Sequence, residues 1–212
     1  VSTVDGNSNA DYITLYYDDQ TDDTVPGKQQ PGKVFGTGQQ FAGVWHMNEE
    51  DGVTIKDSTA NKNNSSARTT IRSDVECIGG AQYFNDTTSI RIPDSATLDG
   101  TGAGGLMISA WAKHYEGAMS EVQAIVAKQD YDGNEYGYGF YTQTLDDYIY
   151  LRRYNSDSID TNYSYMSDTI DADWDYYAVY MDNTSTGYIY FNGTYQSLHD
   201  STISPVSANT SD

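Results

Sequence analysis

The sequence predicts an all-β protein in which antiparallel sheets pack as a sandwich. Short apolar and aromatic runs recur about every ten residues, with Gly, Asn and Asp between them, as in sandwiches and barrels. Asn192-Gly193 lies between two aromatic runs and indicates a type I′ hairpin, because both central residues of that turn take positive φ. No window of 12 or more residues follows the 3.6-residue period of an amphipathic helix, so we expect little helix.

Residues 1–40 are predicted to be a tail and linker rather than part of the main domain. Residues 12–17 alternate apolar and polar side chains before running aromatic, as a strand does. Four aspartates follow within residues 18–23, and the dipeptides Pro26-Gly27 and Pro31-Gly32 indicate turns. We expect the β-sandwich to occupy residues 41–212.

The sandwich is predicted from short segments rich in β-branched and aromatic residues, each bounded by turn residues. The predicted strands are 42–47, 53–56, 81–84, 88–92, 106–114, 122–128, 136–143, 147–154, 162–167, 174–182 and 187–196. Three tryptophans lie within apolar strands, so we expect them in the core. The predicted core residues are Trp45, Trp111 and Trp174, with Val44, Phe84, Ile108, Ile125, Phe140, Val179 and Ile189.

The order of several segments resembles that of laminin-G-like domains of the concanavalin A-like superfamily. The resemblance begins with Val44-Trp45-His46-Met47 and, after an acidic break, the turn Asp57-Ser58-Thr59-Ala60-Asn61. It covers roughly residues 41–196 and continues through Gly79-Gly80-Ala81-Gln82-Tyr83-Phe84, Leu106-Met107-Ile108-Ser109-Ala110-Trp111 and Trp174-Asp175-Tyr176-Tyr177-Ala178-Val179. The resemblance implies a jelly-roll β-sandwich that recognises glycans or proteins outside the cell.

The two ends of the chain add to this resemblance and depart from it. Residues 1–40 resemble the final strand and exit of a small β-domain of unknown function that often precedes laminin-G-like domains in archaeal and bacterial surface proteins. The family's closing strand has no counterpart in the loop-like sequence from Ser204 to Asp212. We therefore expect the sandwich to lack that strand, or to have it supplied by another segment.

The charge of the chain excludes some classes of partner. Eleven basic and 31 acidic side chains give a formal charge of −20, and six of the acids are Glu and 25 are Asp. Such a surface repels nucleic acid and anionic lipid, whose phosphates need Lys and Arg. Simple solubility and adaptation to a saline, halophilic habitat both remain open. No apolar run approaches 18 residues, so no membrane span is expected.

The sequence gives no reason to propose catalysis. Glycoside hydrolases of this architecture need two carboxylates roughly 5 to 9.5 Å apart, and no strand carries such a pair between apolar residues. His46, His114 and His199 are scattered, and the single Cys77 fits a small buried hydrophobe. We expect a non-enzyme and keep a glycoside hydrolase as a minor alternative.

The resemblance implies a calcium site at the first turn. Laminin-G-like relatives often hold Ca²⁺ near this turn, so Asp57, Asn61 and Asn63 are the candidate ligands. The family's partner acid from the last strand is missing here.

A run of alternating side chains is the predicted glycan-binding surface. Tyr148, Tyr150, Arg152 and Tyr154 alternate with Ile149, Leu151 and Arg153, so a strand places the first four on one face. Aromatic rings with a guanidinium provide stacking and hydrogen bonding for a sugar. Packing of the tyrosine rings across strands explains the same pattern equally well.

The sequence also contains N-glycosylation sequons at predicted loops and turns, which are Asn63, Asn64, Asn85, Asn162, Asn183, Asn192 and Asn209.

Together these observations predict a non-catalytic recognition or adhesion module at the cell surface, part of a larger protein, that binds a glycan or surface polymer. The alternative is a structural subunit of a filament, sheath or S-layer-like assembly. Such a subunit would self-assemble through an open sheet edge, because an unpaired edge is a pairing template.

Overall fold

A computed structural model describes residue 35 and residues 40–73, 80–85, 87–100, 105–114, 122–129, 137–143, 148–155, 158–165, 173–182 and 187–197. At residues 129, 154, 155 and 158–165 the description covers the backbone alone. The chain divides into two compact units between Pro93 and Asp94. The predicted boundary at residue 40 adjoins segments outside the described residues and stays a prediction.

The first unit contains two short antiparallel pairs of strands. Strand β1 (Ala67–Arg68) pairs with β4 (Ile90–Arg91), and β2 (Ile71–Ser73) pairs with β3 (Ala81–Tyr83). The strands predicted at 42–47 and 53–56 are wrong, because a single bridge between Trp45 and Asp57 replaces them. Backbone groups of these segments form hydrogen bonds with side chains instead. Side chains of Asp, Ser and Thr compete with strand pairing in this way.

The second unit contains two four-stranded antiparallel sheets. The first sheet has the order β12-β11-β10-β5, with strands β5 (Leu106–Lys113), β10 (Trp174–Met181), β11 (Gly187–Phe191) and β12 (Thr194–Gln196). The second has the order β6-β7-β8-β9, with strands β6 (Gln123–Gln129), β7 (Gly137–Gln143), β8 (Tyr148–Asn155) and β9 (Ser158–Tyr165). A short 3-10 helix, Ala96–Leu98, precedes them.

An apolar core joins the two sheets of the second unit. One sheet contributes Tyr138, Phe140, Ile149 and Leu151, and the other contributes Tyr177, Val179, Met181, Ile189 and Phe191. Alternation along each strand puts these residues on the faces that meet. The described strands therefore confirm the prediction of an all-β protein with a sandwich of antiparallel sheets.

The predicted core is right in part. Phe140, Val179 and Ile189 are fully buried, while Ile108 and Ile125 are partly buried against them. Phe84 and Trp111 were predicted in the core, but they are 50% and 65% exposed. In β5 the inward positions are Leu106, Ile108, Ala110 and Ala112, so Trp111 has the opposite phase and faces out.

The Asn192-Gly193 hairpin is confirmed. Asn192 has φ 48° and Gly193 has φ 79°, as a type I′ turn requires, and they join β11 to β12. Strand β9 begins at Ser158, earlier than the predicted 162, and pairs with β8 along its whole length. No helix in the described part of the chain has the length and apolar character to span a membrane.

Candidate functional site

Asp57 is the centre of the first candidate site and is 2% exposed. Its Oδ1 accepts hydrogen bonds from the backbone N–H groups of Val44, at 3.0 Å, and Thr59, at 2.8 Å. Its Oδ2 accepts from the Thr59 hydroxyl at 2.7 Å and from the backbone N–H of Asn63 at 2.9 Å. Burial alone would raise the pKa of Asp57, but these hydrogen bonds outweigh it and lower the pKa below 3.8.

In this arrangement the lone pairs of the Asp57 carboxylate are engaged by donors of the protein itself. Four N–H and O–H donors point at the Asp57 carboxylate, where a cation would need lone pairs. Asn61 and Asn63 are nearby, but both donate through Nδ2 to the carbonyl oxygen of Ala42, at 2.9 and 3.0 Å. Among the described residues no group of three or more His, Cys, Asp or Glu side chains is placed to hold a metal ion. The turn is built to fix the backbone, and calcium binding stays a prediction.

The predicted glycan-binding residues lie on the outer face of the β6-β9 sheet. Ile149 and Leu151 are fully buried in the core, so Tyr148, Tyr150 and Arg152 point away from it. The side chain of Tyr154 is outside the described residues. We call Tyr141, Gln143, Tyr148, Tyr150 and Arg152 the arginine face, because the β7–β8 register places all five on this side.

Arg152 is held between aromatic rings on the arginine face. Its Cζ atom lies 5.0 Å from the ring centre of Tyr141 and 5.4 Å from that of Tyr150, which are cation–π distances. Gly139 makes room for this packing, since a Cβ atom there would lie 2.1 Å from the Tyr141 ring. The Tyr150 hydroxyl donates to Gln143 Oε1 at 2.6 Å, which fixes the second ring.

A second surface, which the sequence analysis missed, lies on the outer face of the β12-β11-β10-β5 sheet. It is a shallow groove of about 510 Å³ that is open to solvent. None of the side chains that line it carries a charge. We call it the aromatic groove, and it is lined by Met107, Tyr176, Ala178, Tyr180, Tyr188, Tyr190 and Gly193.

Strand pairing explains why the aromatic groove has this shape. Ala178 faces outward between Tyr176 and Tyr180, and it pairs with Ser109 on one side and Tyr190 on the other. The small residues form the floor, and the rings around them form the walls. Neighbouring ring centres are 5.4 to 6.3 Å apart in the pairs Trp111–Tyr176, Tyr180–Tyr188, Tyr188–Tyr195 and Tyr190–Tyr195.

Exposure distinguishes this surface from the core beneath it. Met107 is 60% exposed, Trp111 65% and Tyr195 51%. The signal in the sequence was the phase of the alternation, since Met107, Ser109 and Trp111 share one phase of β5 and the buried residues share the other. The groove was missed because strands β10 and β11 carry aromatic residues on both faces, so composition does not distinguish the outer face from the inner one.

A buried polar chain crosses the sandwich at His114. Its Nε2 lies 2.7 Å from the Thr142 hydroxyl of the opposite sheet, and its Nδ1 lies 3.3 Å from the Tyr177 hydroxyl. The Tyr177 hydroxyl also lies 3.4 Å from a carboxylate oxygen of Asp175. Burial lowers the pKa of His114 below 6.5, because desolvation disfavours the charged imidazolium.

The described sequons differ in whether the amide nitrogen is free. Asn63 is buried, and its Nδ2 donates to a backbone carbonyl. Asn192 Nδ2 donates to the Asp175 carboxylate at 2.8 Å, and its Oδ1 accepts from the backbone N–H of Tyr176 at 2.9 Å. Asn64 accepts a hydrogen bond from the backbone N–H of Asp57 at 2.9 Å.

Asn85 fits sugar attachment better than Asn63 and Asn192, whose amide nitrogens are engaged, and it is more exposed than Asn64. It is exposed, and its Oδ1 accepts from the backbone N–H of Thr87 at 3.0 Å and from the Thr87 hydroxyl at 2.9 Å. Its Nδ2 has no partner within the described segments. The side chains of Asn162, Asn183 and Asn209 are not among those described, and glycosylation stays a prediction.

Comparison with known proteins does not assign the chain to a family. No protein-family model matches the sequence, and no curated protein matches it. The resemblance to laminin-G-like domains therefore stays a prediction from the residues that carry it.

Proposed function

We propose that this chain is a non-catalytic recognition module that acts outside the cell and binds an uncharged glycan in the aromatic groove. The observation that carries the proposal is the set of half-buried tyrosine rings around a small-residue floor, with the exposed rings of Trp111 and Tyr195 beside them. A pyranose ring has an apolar C–H face and a rim of hydroxyl groups. Tyrosine matches both, because it combines a broad apolar ring with a polar tip.

The lack of charge in the groove selects among polymers. Its lining offers hydroxyl groups and ring faces but no Lys or Arg to hold an anion. The ring spacing of 5.4 to 6.3 Å follows from strand pairing, so successive aromatic contacts run across the sheet. A neutral sugar polymer laid across the strands meets a pair of rings on neighbouring strands.

The test is binding of neutral polysaccharides to the intact chain by isothermal titration calorimetry. We expect a β-glucan or a related neutral polymer to bind, and Trp111→Ala and Tyr190→Ala each to weaken binding at least about tenfold, as for aromatic hot spots. Tyr190→Phe keeps the ring and should retain most of the affinity. Tyr83→Ala removes a ring that is 41% exposed in the first unit and is the matched control.

Two outcomes contradict the proposal. One is that no neutral polysaccharide binds across a broad glycan panel. The other is that Tyr83→Ala weakens binding as much as Trp111→Ala does, because the groove would then have no special part in it.

One observation favours the alternative of a structural subunit. Strand β5 is eight residues long and lies at the edge of its sheet among the described strands. Exposed Met107 and Trp111 make this edge apolar, and such edges are templates for pairing with another chain. Concentration-dependent assembly in sedimentation velocity, abolished by a proline at Ser109, would favour this function over glycan binding.

A further inference from the structure

We propose that the arginine face is a second binding site, which takes the carboxylate group of an acidic polysaccharide such as a polyuronate. With the aromatic groove on the other sheet, it makes the module a bridge between two polymers. The bridging rests on the proposed function, because it needs a neutral glycan in the groove. The carboxylate site itself does not.

Among the described residues, Arg152 lacks an acceptor for one of its N–H groups. Its Nε atom is shielded from solvent and makes no hydrogen bond with any described residue, although the chain carries 31 acidic side chains. The adjacent Arg153 is satisfied, since it donates to the carbonyl oxygen of Asp182 at 2.7 Å and to Met181 Sδ at 3.4 Å. Buried polar groups are normally paired, so a half-buried guanidinium with such an N–H group points to an acceptor from outside.

The guanidinium of Arg152 is also already in place. Contacts with the Tyr141 and Tyr150 rings hold it, and the glycine at 139 allows the first ring to lie close to the sheet. A group fixed before binding loses little side-chain freedom when the ligand arrives. A planar guanidinium matches a carboxylate better than an ammonium does, because its N–H groups form a rigid fork.

The rings around Arg152 favour a sugar over an acidic peptide. Next to Arg152 the ring centres of Tyr148 and Tyr150 lie 5.6 Å apart, with the two ring planes tilted by 45°. The amide oxygen of Gln143 accepts a hydrogen bond from the Tyr150 hydroxyl beside these rings. A uronate carries its carboxylate directly on a pyranose ring, so one residue of the polymer supplies both the charge and a flat C–H face. An aspartate or glutamate side chain supplies the charge alone.

The position of the arginine face allows two polymers to bind the sandwich at once. The two sheets share the core through their inner faces, so the arginine face and the aromatic groove lie on opposite sides of the sandwich. One polymer on each side can bind without meeting the other. The formal charge of −20 opposes a polyanion at low salt, but the Debye length of about 8 Å at physiological ionic strength limits that repulsion to short range.

The first experiment measures binding of polygalacturonate to the intact chain in 0.15 M salt, beside the same polymer with its carboxyl groups reduced to alcohols. We expect Arg152→Met to weaken polygalacturonate binding at least about tenfold and Arg152→Lys to restore only part of it. Arg91→Met removes an exposed arginine of the first unit and should have no effect. The reduced polymer should show no difference between the wild type and Arg152→Met.

Equal binding of polygalacturonate by the wild type and Arg152→Met would overturn the carboxylate site. Equal binding of polyglutamate and polygalacturonate would show that charge alone is recognised, and it would overturn the preference for a sugar over an acidic peptide. Unfolding of Arg152→Met is detected independently, because a folded variant keeps its near-ultraviolet circular dichroism. Arg152→Lys tests the site if the methionine variant fails that control.

The second experiment tests the bridge with two sets of beads, one coated with a neutral glucan and one with polygalacturonate. The wild type should aggregate the mixed beads, and Arg152→Met and Trp111→Ala should each abolish mixed aggregation while leaving binding to the other polymer intact. If polygalacturonate binding depends on Arg152 and no glucan binds, glycan binding in the groove is contradicted and the carboxylate site is supported. If glucan binds and Arg152→Met has no effect on polygalacturonate binding, the carboxylate site is contradicted and glycan binding in the groove is supported.

Discussion

The two units of the chain are held together by different kinds of contact. In the first unit Ile55 is the one fully buried hydrophobic side chain among the described residues, and the other buried side chains are polar. Those polar residues are Asp57, Thr59, Asn63, Ser65, Thr70 and Gln82. In the second unit nine buried apolar and aromatic residues form one cluster between two sheets.

The difference shows two ways of fixing a β-rich chain. Apolar packing depends on volume and tolerates little loss of it, whereas a turn held by side-chain hydrogen bonds depends on the charge of one acceptor. Asp57 is that acceptor in the first unit, because four donors meet its two oxygens. The most damaging substitution therefore differs between the units: loss of side-chain volume in the second unit, and loss of the charged acceptor in the first.

The largest effect is expected in the second unit, from Phe140→Ala. The ring of Phe140 is fully buried, so its loss should lower the free energy of unfolding by about 4 kcal/mol, from lost transfer energy and a residual cavity. Hydrogen-exchange mass spectrometry should place the loss of protection in residues 106–196. Phe84→Ala is the control, since this ring is 50% exposed and its removal should cost under about 1 kcal/mol. Similar losses for the two variants would refute the division into core and surface.

A smaller effect is expected in the first unit, from Asp57→Asn. The amide has nearly the same shape, but its NH₂ group faces donors that need an acceptor, so we expect a loss of about 2 to 3 kcal/mol in the stability of this unit. Excess Ca²⁺ should leave the stability of the wild type unchanged. Stabilisation by Ca²⁺ that Asp57→Asn removes would restore the predicted calcium site. Asp51 is exposed and accepts from Arg68 Nη2 and from the backbone N–H of Arg72, so Asp51→Asn should cost less and stay within about 1 kcal/mol.

The smallest effect is a difference in how the units respond to acid. His114 and Asp57 both have a pKa below the ordinary value, so in each case the unfolded chain takes up the proton first. The contribution of His114 is complete above about pH 6.5 and is lost as the pH falls from there toward its lowered pKa, while that of Asp57 begins to fall only near pH 3.8. Hydrogen exchange from pH 7 to 5 should therefore show the second unit weakening first. His114→Gln should flatten that dependence, and an unchanged slope would contradict the assignment.

The sequence was sufficient for the second unit where a strand alternates cleanly. In β8 the alternation put Tyr148 and Tyr150 on one face of the strand, and the structure has Ile149 and Leu151, on the other face, in the core. The Asn192-Gly193 turn was predictable because the φ values it needs limit it to a few residue types. In β5 the alternation was present, but Trp111 was assigned to the core on hydrophobicity rather than on phase.

The first unit was less predictable for a physical reason. Its segments 42–47 and 53–56 have strand-like composition, but their backbone groups pair with side chains distant in sequence, such as Ile55 N–H with Ser65 Oγ at 2.9 Å. Periodicity carries no information about such contacts. The aromatic groove could not be predicted from the sequence for another reason. Its rings surround one floor only when three strands come together.

The exposed indole of Trp111 also gives the molecule an optical signal of its own. Its ring centre lies 5.4 Å from that of Tyr176, close enough for light absorbed by the tyrosine to be emitted by the tryptophan. Because this indole is 65% exposed, its emission responds to whatever covers the face of the sheet. Occupation of the groove is therefore readable in unlabelled protein, at a tryptophan that packs against Tyr176 in its lining.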